Sequence, residues 1–260
     1  MSEGVLPGGL PYFTVGEGRP LVYLPGFNPT HENPSGIARK ISERTVRPFV
    51  RAGRKVYFVN RKPGMATGST MADIAADHAR ALHEYFREPV DVLGHSTGGS
   101  IAFQLLLDHP DVVRRAVLAS TAYALGPVAK RAQMAMGRKL AEGRPGYQEL
   151  VPGMIKHRAP QLVVSGLMWV AGMLAPKIKD PSDMMAVLTA EDGFDVRDRL
   201  GEVTTPTLVI CGARDYFWTP EMFAETAAGM PGGTLVMYPR AGHAVTTKRE
   251  FYRDVLEFLR

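Results

Sequence analysis

The pentapeptide Gly-His-Ser-Thr-Gly at 94–98 stands between a short apolar run and a longer apolar stretch. The run over 90–93 predicts a buried strand, and the stretch over 101–107 predicts a helix. A turn that joins a strand to a helix in so few residues holds its central residue in a strained backbone conformation, and the flanking glycines leave room for close packing. The sequence therefore predicts a sharp turn that lifts the Ser96 hydroxyl above the edge of a sheet.

Two more polar residues follow predicted strands further along the chain. The apolar run over 207–211 precedes Asp215, and the run over 234–238 precedes His243. Because the carboxyl ends of parallel strands share one edge of a sheet, we expect both side chains near Ser96. Imidazole titrates near neutrality and can take the proton of a serine hydroxyl, while a carboxylate orients the imidazole. The three residues thus predict a nucleophile, a base and an acid.

On these residues, and in the chain order serine, aspartate, histidine, the sequence resembles the α/β-hydrolase fold superfamily, in its branch of capped serine hydrolases that includes esterases and epoxide-hydrolase-like proteins. The likeness extends over nearly the whole chain. Residues 21–27 resemble the first core strand and oxyanion loop, and residues 55–61 resemble the next strand. Two positions depart from the family pattern: Pro25 stands where many members have histidine, and Asn60 where many have aspartate. Neither departure removes a group that the chemistry requires.

The resemblance implies an α/β fold with a mostly parallel, doubly wound sheet and an inserted helical cap. It also implies that the backbone N–H groups of Phe27 and Thr97 form an oxyanion hole, and that Gly94 and Gly98 are the glycines of the nucleophile turn. An aspartate nucleophile is typical of epoxide hydrolases and haloalkane dehalogenases. Ser96 in that position argues against either activity.

The chain divides into a regular and an irregular part. Strand-like and helix-like segments alternate up to about residue 121, whereas 122–200 lacks strand patterns and is broken repeatedly by proline and glycine. We therefore predict a core of 1–121 and 201–260, with 122–200 as the cap. The cap is rich in methionine, which suits an adaptable apolar pocket but equally suits packing of the cap on the core. The predicted pocket residues are Trp169, Met173 and, outside the cap, Trp218.

Composition excludes some other classes. The 260 residues are 45% hydrophobic with a net charge of +5, and they contain one cysteine, Cys211, within a predicted buried strand. We read the basic stretch over 39–62 as mainly the solvated face of a helix over 37–51 rather than a nucleic-acid site, with Ile37 and Ile41 turned inward. Without a signal peptide or a membrane-length apolar run, we expect a cytoplasmic protein.

No group of histidine, cysteine or acidic residues has the spacing of a metal site, and no glycine-rich loop suits a dinucleotide. The sequence predicts no metal, no cofactor, no nucleic-acid partner and no membrane span, and it leaves the oligomeric state open. The expected partner is a small-molecule substrate.

These residues predict a serine hydrolase that cleaves a carboxylic ester, a lactone or a thioester of a largely apolar substrate through an acyl-enzyme on Ser96. The same triad also serves carbon–carbon bond hydrolysis, perhydrolysis and lyase chemistry. A third alternative is a non-catalytic ligand receptor on a hydrolase fold, which the complete triad disfavours. Fold alone does not choose among these activities.

Overall fold

The computed structural model describes residues 2–175 and 178–260. Within these ranges eight strands form one sheet in the order β1-β2-β4-β3-β5-β6-β7-β8. Their bounds are β1 (Ser2–Leu6), β2 (Leu10–Val15), β3 (Arg19–Leu24), β4 (Arg54–Val59), β5 (Val90–His95), β6 (Val113–Ala119), β7 (Thr207–Gly212) and β8 (Gly233–Tyr238). The pairings of β1 with β2 and of β2 with β4 are antiparallel, and the others are parallel. The predicted α/β fold with a mostly parallel sheet is confirmed.

Helices cover both faces of this sheet. The bounds are α1 (Gly36–Arg51), α2 (Met71–Phe86), α3 (Thr97–Asp108), α4 (Pro127–Ala141), α5 (Val151–Met154), α6 (Arg158–Leu174), α7 (Pro181–Asp192), α8 (Pro220–Gly229) and α9 (Arg249–Phe258). The core on one face contains Phe49 of α1 and Phe251 of α9. The core on the other face contains Ile74 of α2, Phe103 of α3 and Phe223 of α8. None of the helices in the described ranges is both long and apolar enough to cross a membrane.

The start of α2 shows how local sequence fixes an element. Thr70 accepts a hydrogen bond at Oγ1 from the N–H of Asp73, at 3.2 Å, and Asp73 accepts one at Oδ2 from the N–H of Thr70, at 2.8 Å. This reciprocal cap satisfies two backbone donors that the first turn of a helix leaves free. The sequence Thr-Met-Ala-Asp is typical of such a cap, because its first and fourth residues can each reach the other's backbone N–H.

The inward face predicted for α1 is wrong in its first half. Ile37 is 78% exposed and Ile41 is 61% exposed, while Val46 and Phe49 are fully buried. Helix α1 reaches β2, β4 and α9, and its buried residues lie toward its carboxyl end. Helical spacing alone cannot tell how much of a helix lies against the sheet.

The basic residues of 39–62 do not form one continuous surface. Arg54 is buried, and its Nη1 donates to Asp91 Oδ2 at 2.6 Å. Arg61 is also buried and forms an ion pair with Asp183 of α7. Two of the charges that appear solvated in the sequence are therefore internal and paired.

The first two strands were not predicted. They form a hairpin whose connection holds Gly8 and Gly9 at φ values of 79° and 92°. These left-handed conformations suit glycine. A turn signal was present in Pro7-Gly8-Gly9, but the flanking residues are few and their apolar alternation is weak.

Between β6 and β7 the chain runs through α4, α5, α6 and α7, and we call residues 120–206 the inserted segment. It crosses the carboxyl ends of the parallel strands, because the residues that follow β5, β7 and β8 share a cavity with residues of α4 and α7. This is the sheet edge at which α/β proteins bind ligands.

Candidate active site

Ser96 lies in a tight turn between β5 and α3, with φ at 53°. A Cβ atom added to Gly94 would lie 2.2 Å from the carbonyl oxygen of Gly98, and one added to Gly98 would lie 2.1 Å from that of Leu24. No side chain fits at either position, so the two predicted glycines are required by packing. The turn presents Ser96 to the cavity under the inserted segment.

The structure brings the three predicted polar residues together. The Nε2 atom of His243 lies 3.2 Å from Ser96 Oγ, and its Nδ1 atom lies 2.8 Å from Asp215 Oδ2. Asp215 follows β7 and His243 follows β8, so neighbouring strands deliver both to the same edge. The Asp215 side chain is fully buried, while the His243 side chain is 13% exposed.

Several contacts fix the imidazole. Asp215 accepts a second hydrogen bond at Oδ1 from the N–H of Phe217, at 3.0 Å. Ser120 donates from Oγ to the carbonyl oxygen of His243 at 2.7 Å. The Trp218 ring stacks on the His243 ring with centroids 5.5 Å apart and planes at 11°. The position of the His243 imidazole is therefore fixed by the Trp218 ring, by the hydrogen bond from Ser120 to its backbone and by the Asp215 carboxylate.

The two residues predicted for the oxyanion hole, Phe27 and Thr97, both line the cavity beside Ser96. Thr97 is the first residue of α3, where a backbone N–H has no partner inside the helix. The loop before Phe27 comes close to Ser96, since a Cβ atom on Gly26 would lie 3.4 Å from Ser96 Cβ.

Asn60, a departure from the family pattern, has a structural reason. Its Nδ2 donates to the carbonyl oxygens of Thr30 at 3.2 Å and of Glu32 at 3.1 Å. Arg61 donates from Nη1 to the carbonyl oxygen of Asn28 at 2.9 Å. A carboxylate at position 60 could only accept hydrogen bonds, whereas this loop needs a donor.

The cavity has a volume of about 340 Å³. Most of its lining outside the catalytic turn is apolar or neutral: Leu125, Ala129, Gln133, Met136, Tyr147, Leu150, Met154, Phe217 and Trp218. Trp218, one of the predicted pocket residues, lies in this lining.

The pocket predictions for Trp169 and Met173 are wrong. Both lie on α6, outside the residues that line this cavity, and they are 47% and 54% exposed. Met173 instead borders a separate surface cavity with Pro145 and Gly172. Helix α6 packs on α5 and on the turn over 147–150, so these shorter elements come between it and the cavity.

Glu191 of α7 also lines the cavity, and sequence reasoning missed it. It is 1% exposed and accepts hydrogen bonds from Thr97 Oγ1 at 2.9 Å and Ser100 Oγ at 3.0 Å. Burial raises the pKa of this carboxyl to about 7, although the two hydroxyl donors oppose the shift. The sequence did contain a signal for this burial: Asp183, Val187 and Glu191 are spaced four residues apart and so share one helical face, on which the apolar Val187 indicates the buried side.

Two other titratable groups near the triad stay neutral. Desolvation lowers the pKa of His95 to about 3, and burial raises the pKa of the Cys211 thiol to about 12. A neutral imidazole at position 95 and a protonated thiol at position 211 add no charge to the site near pH 7. Across the described part of the chain, no group of three or more His, Cys, Asp or Glu side chains is arranged to hold a metal ion.

The sequence matches a known protein family. Residues 21–255 match the sequence profile of the alpha/beta hydrolase family. The chain belongs to the alpha/beta hydrolase family. Among family members it is similar to RutD of Serratia proteamaculans, a candidate carbamate hydrolase, with 27% identity over 76% of each chain. It is also similar to a pimeloyl-[acyl-carrier protein] methyl ester esterase of Neisseria meningitidis, with 26% identity over 69% of this chain and 74% of that one.

Solved structures agree on the alpha/beta hydrolase fold. The candidate non-heme bromoperoxidase BpoC of Mycobacterium tuberculosis superposes with a TM-score of 0.76 and 24% identity, covering 100% of this chain and 97% of the other. At this identity the likeness concerns the fold.

Proposed function

We propose that this alpha/beta hydrolase cleaves carboxylic esters, including lactones and thioesters, of small to medium uncharged substrates through an acyl-enzyme on Ser96. The observation that carries the proposal is the continuous hydrogen-bonded chain from Ser96 through His243 to the buried Asp215. The methyl ester esterase among the relatives supports the choice of ester.

In the first half of the reaction, His243 Nε2 takes the proton of Ser96 Oγ as the oxygen attacks the substrate carbonyl. Asp215 holds the imidazole in the tautomer with its proton on Nδ1 and stabilises the imidazolium that forms. The carbonyl oxygen becomes negative, and the N–H groups of Phe27 and Thr97 stabilise it by about 3–4 kcal/mol for each well-placed donor. The imidazolium then protonates the leaving alcohol, which departs.

In the second half, His243 takes a proton from water, and the resulting hydroxide attacks the acyl carbon. The same N–H groups receive the second oxyanion. When this intermediate collapses, His243 returns its proton to Ser96 Oγ and the carboxylic acid leaves. Ser96, His243 and Asp215 are then back in their starting protonation states.

The cavity supports an uncharged substrate. Lysine and arginine are absent from the side chains that line it, all of which lie in the described ranges. Two basic residues of α4 that could have turned inward are engaged elsewhere: Lys130 donates to the carbonyl oxygen of Asp192 at 2.7 Å, and Lys139 pairs with Glu149. An anionic substrate would enter without a partner, which costs more than the burial of its methylene groups returns.

The test compares two esters on the purified protein. We expect higher kcat/KM for a neutral p-nitrophenyl butyrate than for its hemisuccinate analogue, and we expect Ser96→Ala to lower kcat by several orders of magnitude. A folded protein without turnover would contradict the esterase proposal. A preference for the hemisuccinate, lost on removal of Arg131 or Arg138, would contradict the uncharged substrate class.

A further inference from the structure

Glu191 joins helix α7 of the inserted segment to the first turn of α3, and the proposed reaction needs these two parts in a fixed relative position. Its helix, α7, packs on α4 and α2, while its carboxylate receives the hydroxyls of Thr97 and Ser100 in the first turn of α3. That turn begins directly after Ser96 and carries the N–H of Thr97, one of the proposed oxyanion donors. The Glu191 side chain therefore connects helix α7 of the inserted segment to the turn that carries Ser96.

The surroundings of Glu191 contain few charges. The charged groups that act on Glu191 are His243 in the loop after β8 and Asp192 on α7 itself, and His95 and Tyr147 line the same cavity. Helix α4 contributes the neutral Gln133 and helix α2 the buried His78, whose pKa is lowered by desolvation. Along α7, the Asp183 carboxylate is already paired with Arg61. The hydroxyls of Thr97 and Ser100 are thus its direct partners.

We propose that Glu191 is a positioning residue for the esterase reaction, holding the first turn of α3 against α7 and setting the charge beside the oxyanion hole. This inference rests on the proposed function. Its two oxygens receive one hydroxyl each, so the carboxyl fixes both side chains at once.

The charge of Glu191 acts on the oxyanion directly. An ionised carboxylate, 2.9 Å from Thr97 Oγ1, opposes the negative charge that develops near the Thr97 N–H, whereas a neutral carboxyl does not. Because burial raises the pKa of Glu191 to about 7, both forms exist in the range where esters are assayed. The neutral form dominates below pH 7 and favours the reaction.

The experiment measures kcat and KM for p-nitrophenyl butyrate from pH 5.5 to 8.5 in the wild type, Glu191→Gln and Glu191→Ala. Glutamine keeps the size and a hydrogen-bonding group but never ionises. We expect the ratio of kcat in Glu191→Gln to that of the wild type to rise about tenfold with a midpoint near pH 7. Using a ratio cancels the effects of pH on the substrate and the assay, which both proteins share.

Alanine removes the hydrogen bonds as well as the charge. We expect Glu191→Ala to have a kcat about tenfold below that of Glu191→Gln at every pH, with KM changed by less than about threefold, since the lost contacts position the turn and do not bind substrate. Glu142→Gln is the control, because it removes an exposed acid of the inserted segment that pairs with Arg144, and its ratio to the wild type should stay flat across the range. A flat ratio for Glu191→Gln, or equal kcat values for Gln and Ala, would overturn the inference.

A second readout does not depend on turnover. In the unfolded chain Glu191 ionises near its ordinary pKa of 4.5, and in the folded protein near 7. Raising the pH through this window therefore destabilises the wild type relative to Glu191→Gln, by about two orders of magnitude in the unfolding equilibrium constant. If this stability difference appears but neither the wild type nor any variant hydrolyses esters, the proposed function is wrong. The burial of the Glu191 carboxyl is then confirmed, but its role beside the oxyanion hole is wrong together with the proposed function. If turnover is normal and the difference is absent, only the present inference fails.

Discussion

Helices α6 and α7 of the inserted segment are both rich in apolar residues, yet their relation to the core is opposite. In α7 seven residues are buried, two of them acids. Among residues 158–174 of α6, all of which the structure describes, none is buried, and Leu162, Leu167 and Leu174 are each at least 66% exposed. Apolar content therefore does not decide which helix attaches to the core.

Two acids account for the attachment of α7. Asp183 pairs with the buried Arg61 and accepts the N–H of Met65 at 2.9 Å, and Glu191 receives two hydroxyls of α3. A buried charge with its partner missing is costly, so both sites favour one placement of the helix. Helix α6 has one charged residue, Arg158, and no buried ion pair in the described structure. Helix α7, which attaches to the core, has buried acidic residues with partners, whereas the exposed helix α6 has almost no charged residues.

The largest effect on stability that tests this difference between α6 and α7 is expected at Asp183. Removing its carboxylate in Asp183→Ala leaves Arg61 buried without its charge partner, and we expect a loss of about 3–5 kcal/mol in the free energy of unfolding. Urea denaturation measures it. Glu142→Ala, which removes half of the exposed pair with Arg144, is the matched control and should change stability by less than about 0.5 kcal/mol. Similar losses in the two variants would refute the view that α7 is fastened by its charge.

A smaller effect distinguishes the two helices by packing. Leu188 of α7 is fully buried, and we expect Leu188→Ala to cost about 2–5 kcal/mol through lost contacts and the cavity left behind. Leu167 of α6 is 66% exposed, and we expect Leu167→Ala to change stability by less than about 0.5 kcal/mol. The same denaturation experiment compares them. A cost above about 2 kcal/mol for Leu167→Ala would mean that α6 is packed against something in solution.

The parts of the molecule that local sequence predicts are those that local physics determines. Gly94, Ser96 and Gly98 specify a turn that few other residues can make, and apolar runs followed by Asp215 and His243 identify strand ends. Capping at Thr70 belongs to the same class. Each depends on neighbours within a few positions.

The contacts of the inserted segment could not be predicted this way. Trp169 and Met173 were expected in the pocket because a methionine-rich cap suits an adaptable apolar pocket, but their helix lies one layer further out. Glu191 was missed because an acid near a helix end is usually solvated. Its burial depends on Thr97 and Ser100, which are more than 90 positions away in the chain.

The central claim is that Ser96 is a nucleophile activated by His243, and covalent labelling with a fluorophosphonate tests it most directly. We expect one adduct per chain, placed on Ser96 by peptide mass spectrometry, no labelling of Ser96→Ala, and labelling slowed by several orders of magnitude in His243→Ala because the base is lost. An adduct on Thr97 or Ser100, or labelling that persists in Ser96→Ala, would contradict the account.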